Sequence, residues 1–304
     1  MSAEPGPSDA DPAAAFQLLG DDTRVAIVSA LTDRRREHPE DPTLTFSDLR
    51  HEVGTPDSGR FNYHLDKLRD RFVQQTEDGY ELTYAGEQMA AAIVSGAYST
   101  GVRLDPLDLD HDCPFCDAPV TARYEDGYVF VTCDDDHPLF TNGVPPGAAE
   151  HRSMAAVLSI AVRTLFGDLL LANDDVCPRC FGSMATEIRE LEITALGDGA
   201  TLPAALENEI LWQYVATCEA CGEQFNTPVG GTVLMHPAIV SFFWEHGRDL
   251  TTEYPWLFGF VGDPRKTTLV SEDPLRLRVD VELDGDHLGV TVGESARVVD
   301  LQRN

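Results

Sequence analysis

Seven cysteines are the residues of this sequence with the clearest chemistry, and all of them lie between positions 113 and 221. Six of them form three C-x2-C pairs, a spacing that lets one tight turn aim two sulfurs at a single metal ion. Two of the pairs complete a set of four thiolates: Cys177, Cys180, Cys218 and Cys221. Strand-like segments lie between these two pairs, so the pattern predicts a zinc ribbon with a long insertion.

The other three cysteines, Cys113, Cys116 and Cys133, need a fourth ligand. His137 follows Cys133 closely and is the expected ligand, with His111 as the alternative. The odd cysteine count argues against a disulfide framework. We therefore predict two structural zinc ions per chain, each held by four protein ligands, with no open position for a catalytic water.

No catalytic motif accompanies the cysteines. The sequence lacks G-x-S-x-G, a P-loop, G-x-G-x-x-G and H-E-x-x-H. His236, Glu245 and His246 lie near one another, but nothing pairs them with a nucleophile. The aromatic residues between 242 and 260 are expected to form either ordinary core or the lining of a ligand pocket. We expect a protein that is not an enzyme.

The first hundred residues predict helices and one hairpin. Ser47 is the expected cap of a third helix that stops at Gly54, and Thr55-Pro56 is the expected start of a fourth. A turn signal at 77–79 separates two strand-like runs, and a helix is predicted over 85–98. This order of elements is that of a winged helix-turn-helix, over residues 13–100.

The fourth helix is the candidate DNA-contacting element. Phe61, Leu65 and Leu68 form a stripe that we expect to be buried. Segment 60–71 has four Arg or Lys residues against two Asp residues, in a chain of net charge −30. The residues that suit base edges or phosphates are Ser58, Arg60, Asn62, Tyr63, His64, Lys67 and Arg71. This face is either a DNA-binding surface or simply the solvated side of the helix. For His64, contact with the DNA major groove and structural support of the helix are both open.

The sequence of this helix and of the segments after it also resembles a known family. The run SGRFNYHLDKLRD, followed by a hairpin and LTYAGE, resembles the ArsR-type regulators of haloarchaea, in which a YHL-x-x-L recognition helix precedes the wing. The resemblance covers about residues 12–98 and implies a double-stranded DNA partner. It also implies a homodimer formed through the apolar helix 85–98. Packing of that helix on the second half of the same chain is the alternative.

Two further resemblances concern the whole chain. It is similar to haloarchaeal regulators in which an ArsR-like head precedes a cysteine-knuckle domain of undefined role. A winged helix followed by a zinc ribbon also resembles the archaeal general transcription factor related to the alpha subunit of TFIIE, which bridges polymerase and promoter. The second ribbon and the C-terminal strands depart from that pattern.

The acidity of the chain sets its expected environment. There are 52 acidic against 22 basic residues, and only two of the basic residues are lysines. Acid spread along a whole chain resembles the proteins of halophilic archaea, whose high internal salt screens self-repulsion. Residues 1–12 predict a loose acidic tail without a secretory signal, so we expect a cytoplasmic protein. The uncharged stretch 224–244 is broken by His236-Pro237 and predicts a strand followed by a helix, not a membrane span.

The remaining segments complete an α+β fold class. Residues 149–172 predict a helix, and alternation over 275–283, 288–292 and 298–301 predicts a terminal β-meander. An N-terminal winged helix-turn-helix is thus expected before a C-terminal domain, 101–304, with two zinc-ribbon-like elements, helices and the meander. That domain is expected to serve dimerisation, the sensing of a small-molecule effector or contact with the transcription machinery.

Overall fold

The fold is mixed α and β, with mostly helices in the N-terminal part and β-sheets dominating the C-terminal part, which also holds the longest described helix. The structure is a computed structural model that describes residues 12–99, 101–192 and 210–303. The chain divides into two compact units, Met1–Ser99 and Thr100–Asn304, called unit 1 and unit 2 below. Apart from Pro12, the predicted acidic tail lies outside the described residues.

Unit 1 contains helices and one β-hairpin. In chain order its elements are α1 (Pro12–Leu19), α2 (Asp22–Glu37), α3 (Phe46–Val53), α4 (Ser58–Leu68), β1 (Val73–Gln75), β2 (Tyr80–Leu82) and α5 (Tyr84–Val94). The two strands pair antiparallel, with Val73 opposite Leu82 and Gln75 opposite Tyr80. The helix-rich first hundred residues and the hairpin are therefore as the sequence pattern indicates.

Side-chain caps start helices α2 to α5 of unit 1, but at two of them the predicted cap is wrong by two residues. Thr45, not Ser47, caps α3, and its hydroxyl accepts the N–H of Asp48 at 3.2 Å. Asp57, not Thr55, caps α4. Both segments offer two capping residue types two positions apart, and the one whose oxygen reaches the free N–H groups of the first turn is used.

One hydrophobic cluster holds unit 1 together. Phe61, Leu65 and Leu68 of α4 are fully buried, as the stripe predicts. They pack with α2, where Ile27, Val28 and Leu31 are buried too. Burying each of these large aliphatic or aromatic side chains contributes about 1.5–3 kcal/mol. The packing fixes which face of α4 is left exposed.

Unit 2 is built on three antiparallel sheets in which sequence neighbours pair. The first is β3 (Leu107–Asp112), β4 (Pro119–Glu125), β5 (Tyr128–Cys133) and β6 (Pro138–Gly143); the second is β7 (Met184–Glu192), β8 (Ile210–Cys218) and β9 (Gln224–Pro228); the third is β10 (Thr267–Glu272), β11 (Leu275–Leu283), β12 (Asp286–Val292) and β13 (Val298–Arg303). Its helices are α6 (Pro146–Ala149), α7 (Met154–Asn173), α8 (Val229–Thr232), α9 (Pro237–Glu245) and α10 (Gly259–Gly262). The third sheet is a meander with one strand, β10, more than the alternation predicts.

Helix α7 lies in the core of unit 2. Among the described residues it is the one helix long and apolar enough to cross a membrane, and 39% of its most apolar window is buried within the protein. Its buried face packs in the same cluster as the inner residues of the sheets. Asn142 of β6 donates to the carbonyl of Ala161, and Tyr214 of β8 donates to that of Ala172. These contacts are those of a core helix. The uncharged stretch 224–244 forms β9, α8 and most of α9.

Candidate metal centres and an exposed helical face

Three cysteines and one histidine meet at one end of the first sheet of unit 2. Cys113 follows β3, Cys133 ends β5 and His137 precedes β6. The Nδ1 atom of His137 lies 3.2 Å from Cys116 Sγ, 3.3 Å from Cys133 Sγ and 3.6 Å from Cys113 Sγ. Cys116 and Cys133 are separated by 3.7 Å, sulfur to sulfur. We call Cys113, Cys116, Cys133 and His137 the first cluster.

The alternative ligand His111 lies outside the first cluster. Its Nε2 accepts the indole N–H of Trp256 at 3.4 Å, and its ring packs 5.6 Å from that of Tyr254, centroid to centroid. Of the two candidates, the structure brings His137 to the three cysteines.

Four cysteines meet between β7 and β8 of the second sheet. Met184 of β7 pairs with Cys218 at the end of β8, so the hairpin brings the 177/180 turn beside the 218/221 turn. Sulfur atoms of Cys177 and Cys221 lie 3.7 Å apart, and those of Cys180 and Cys218 lie 3.5 Å apart. We call Cys177, Cys180, Cys218 and Cys221 the second cluster.

The three C-x2-C turns share one backbone conformation. In each, the first cysteine donates its N–H to the carbonyl five residues on, and its own carbonyl accepts the N–H four residues on. The residue after the second cysteine has positive φ in every case: Asp117 at 59°, Phe181 at 60° and Gly222 at 76°. The fourth turn, from Cys133 to His137, is one residue tighter, with positive φ at Asp136. Among these turn residues only Gly222 is a glycine, so residue type alone does not reveal the shared turn.

Both clusters have the dimensions of a tetrahedral metal site. Zinc–sulfur bonds of about 2.3 Å at tetrahedral angles place sulfurs about 3.8 Å apart. The three sulfur–sulfur distances given above are 3.5–3.7 Å, far from the roughly 2.05 Å of a disulfide. All seven cysteines are free. Each cluster could therefore hold one metal ion with four ligand atoms that all lie within 4.8 Å of one another.

Each cluster contains thiols whose pKa is raised above the ordinary value. Burial raises the pKa of Cys113 and raises that of Cys116 to about 12. The backbone N–H of Cys221 lowers the pKa of Cys218 to about 6. The pKa of Cys221 itself is about 12, because the N–H of Glu223, which lowers it, is outweighed by the neighbouring thiols. A cation among the sulfurs would let all of them be thiolates, which is the form that binds metal.

A separate candidate site is the exposed face of α4, which we call the α4 face. Of its seven predicted residues, Arg71 is half-buried beyond the helix end and His64 is buried. The other five are exposed: Ser58, Arg60, Asn62, Tyr63 and Lys67. Within this face Asn62 donates to the Asp66 carboxylate at 2.7 Å, and Arg69 pairs with the same carboxylate at 3.1 Å. The Lys67 ammonium lies 5.6 Å from the centroid of the Tyr63 ring. Side chains capable of base and phosphate contacts thus share one solvent-facing surface.

His64 differs from the rest of the predicted set. Its side chain is 9% exposed and its Nδ1 lies 3.2 Å from the carboxylate of Asp21, the residue that caps α2. Of the two roles left open for it, this position favours support of the helix over contact in a groove.

Two family models match the chain, one over each unit. The first matches residues 110–298 and is described as a domain of unknown function, DUF7351. The second matches residues 12–93 and is described as a domain of unknown function, DUF7347. No curated protein and no solved structure matches the chain significantly.

Proposed function

The chain belongs to the family described as domain of unknown function DUF7351, a description that names no activity, and we propose from its geometry that it is a DNA-binding transcriptional regulator. In this proposal unit 1 is an ArsR-like winged helix-turn-helix, with α4 as recognition helix and the β1–β2 hairpin as wing. The observation on which the proposal depends most is the α4 face. It presents Arg60, Asn62 and Tyr63 to solvent from a helix whose opposite side is locked into the core.

The chemistry of the α4 face fits a duplex. Arg60 and Asn62 are residue types that make paired hydrogen bonds to base edges in the major groove. Tyr63 and Lys67 suit phosphates, and the contact of the ammonium with the ring keeps the two together. Asp66 holds Asn62 and Arg69 in place and would itself be repelled by phosphate, so it favours an approach along the Arg60 side of the helix.

The test is occupancy of the genome by the tagged protein, beside an Arg60→Ala/Tyr63→Ala variant. A few sharp sites that vanish in the variant are expected. Arg36→Ala is the matched control, because Arg36 is an exposed arginine on α2 that pairs with Asp33 and Glu37 away from the α4 face. Signal at most promoters would instead favour a general factor resembling the TFIIE alpha subunit. If neither the wild-type protein nor the variant were enriched at any site, DNA binding would be refuted.

Binding in vitro gives a second readout. Affinity for an operator found in this way should fall as salt rises, because phosphate contacts release counterions. Lys67→Ala should reduce the slope of log affinity against log salt by about one and weaken all sequences alike. Asn62→Ala should instead cost about 1–3 kcal/mol at one base position. If both variants lost affinity equally on every DNA sequence tested, the recognition of individual bases would have no support.

We propose that the second copy in a homodimer contacts unit 1 through α1 and α5. Large apolar side chains stand exposed on or beside these helices: Phe16 (63%), Tyr84 (76%), Val94 (69%) and Tyr98 (73%). Val94→Glu should shift the protein to monomer in sedimentation, whereas Val270→Glu in unit 2, also at an exposed valine, should not. A monomer before substitution would contradict the dimer.

Both clusters are proposed to hold structural zinc in ribbon-like elements. Every ligand atom comes from the protein, which leaves no position for a reacting water, so the ions would supply folding energy and not catalysis. Elemental analysis of the folded protein should give two zinc ions per chain. A protein that is folded without zinc would contradict this part of the proposal.

A further inference from the structure

Unit 2 contains a cavity of about 380 Å³ that neither the metal clusters nor the α4 face explain. Its wall is formed by β6, β8, β9 and α7, with the segment 255–264 closing one side. Most of the wall is apolar, including Phe115, Phe140, Leu165, Leu169, Leu234 and Trp256. Its volume falls at the lower end of the range of about 300–1,000 Å³ that is usual for small-molecule pockets.

The aromatic side of this cavity is held in place by contacts outside it. Trp256 stacks on Tyr254 with centroids 4.7 Å apart and rings 9° from parallel. Its indole N–H donates to His111, and its other neighbour, Phe140, lies 5.2 Å away, centroid to centroid. A wall fixed in this way loses little freedom when a ligand binds, which favours affinity.

The polar groups of the wall define what it could accept. Among the described residues that line the cavity there is no Asp, Glu, Lys or Arg. Besides His137, and Trp256, whose indole N–H already donates to His111, the hydrogen-bonding side chains are Thr141, Gln213, Asn226 and Thr227. The amide oxygen of Gln213 is already bonded to Arg189, which leaves its NH₂ group as a donor. An ionised group placed in the cavity would find no charged partner in this wall, which disfavours its binding.

We propose that this cavity binds a neutral, mostly apolar small molecule with one or two hydrogen-bonding groups. It adjoins the first cluster: His137 belongs to both, and Phe115, between Cys113 and Cys116, packs 5.8 Å from the His137 ring, centroid to centroid. Ligand and metal therefore share a wall, and any coupling between them must be reciprocal. The proposal does not depend on DNA binding by unit 1.

The test uses the zinc-loaded full chain in molar KCl and two dyes of similar ring skeleton. N-phenyl-1-naphthylamine is neutral, and 1-anilinonaphthalene-8-sulfonate carries a negative charge. Two variants block the cavity from exposed positions on opposite strands, Thr141→Trp on β6 and Asn226→Trp on β9. Val299→Trp places the same side chain at an exposed strand position outside the cavity. Circular dichroism shows that each variant is folded.

We expect saturable binding of one neutral dye per chain, with affinity at least tenfold lower for the sulfonate. Each blocking variant should lower the affinity for the neutral dye at least tenfold, and Val299→Trp should leave it unchanged. Chelation of the metal at the first cluster should weaken dye binding, with the dye in turn slowing metal loss. Binding that does not saturate, or that is equal in all three variants, would overturn the proposal, as would tighter binding of the sulfonate.

Discussion

The two cysteine clusters share turn geometry and differ in exposure. In the first cluster Cys113, Cys133 and His137 are buried and Cys116 is half-buried, whereas in the second Cys180 and Cys221 are exposed. The turn conformation is the same, so exposure is set by what packs over each turn. The first cluster lies against the core of unit 2, and Phe115 covers His137. The second is open at Phe181, whose side chain is 70% exposed.

Two clusters with the same ligand geometry can therefore differ in how accessible the metal would be. A metal in the first cluster would be part of the core, and removing it would leave a hole among packed side chains. A metal in the second could be reached by solvent, chelators or oxidants without unfolding the unit. The comparison yields four tests.

The largest effect is expected from loss of a buried ligand. Cys113→Ser should leave unit 2 without cooperative thermal unfolding, because binding energies of about 10 kcal/mol or more for structural zinc are folding energy. Cys180→Ser, at an exposed ligand, should keep a cooperative transition with a lowered midpoint. Differential scanning calorimetry measures both. A Cys180→Ser variant more damaged than Cys113→Ser would reverse the proposed ranking.

Metal release should separate the two clusters in time. We expect a chromophoric chelator to remove one ion at least tenfold faster than the other, since only the second cluster exposes thiolates to attack. Alkylation of the half-released protein should label Cys180 and Cys221 and spare Cys113. Simultaneous loss of both ions would show that exposure does not control release.

Competition between protons and metal for the thiolates should change how steeply metal affinity depends on pH. Metal binding displaces thiol protons, so affinity rises with pH. In the second cluster, Cys221, with its pKa of about 12, contributes a tenfold change per pH unit throughout the neutral range. Cys218, with its pKa of about 6, contributes only below that pH. In competition titrations, the slope of log metal affinity against pH should therefore increase by one below about pH 6, because one more proton is displaced there. A constant slope would contradict this expectation.

The smallest effect concerns the shared turn. Phe181 adopts the conformation that glycine provides at Gly222, which for a bulky residue costs about 1–2 kcal/mol. Phe181→Gly should stabilise unit 2 by up to about 1 kcal/mol, because little apolar burial is lost. Asp117→Gly should change less, since Asp tolerates positive φ better. Denaturant titrations measure both, and destabilisation by Phe181→Gly would mean that the ring makes a contact of its own.

The sequence predicts features that depend on local spacing. The stripe Phe61, Leu65, Leu68 places α4 and its buried side, and the turn signal at 77–79 places the β1–β2 hairpin. Seven of the eight candidate ligand positions follow from the three C-x2-C pairs and Cys133. Each of these patterns is complete within a few residues, so no tertiary information is needed.

What the sequence could not give depends on contacts distant along the chain. Strand β3 alternates apolar and acidic residues, a pattern that resembles an acidic loop until β4 pairs with it. His111 is engaged elsewhere by Trp256, which lies 145 positions from it along the chain and donates its indole N–H to the His111 ring. The cavity requires three strands and a helix to be assembled before its wall exists.

The two clusters use separate stretches of chain, 113–137 and 177–221, with no ligand of one lying inside the other. During synthesis the last ligand of the first cluster is therefore made 84 residues before that of the second, from 137 to 221. At about 5–20 residues per second this interval lasts roughly 4–17 s. If each cluster holds an ion, as proposed, the nascent chain has that time to order its first sheet around one ion while the ligands of the other are still being made.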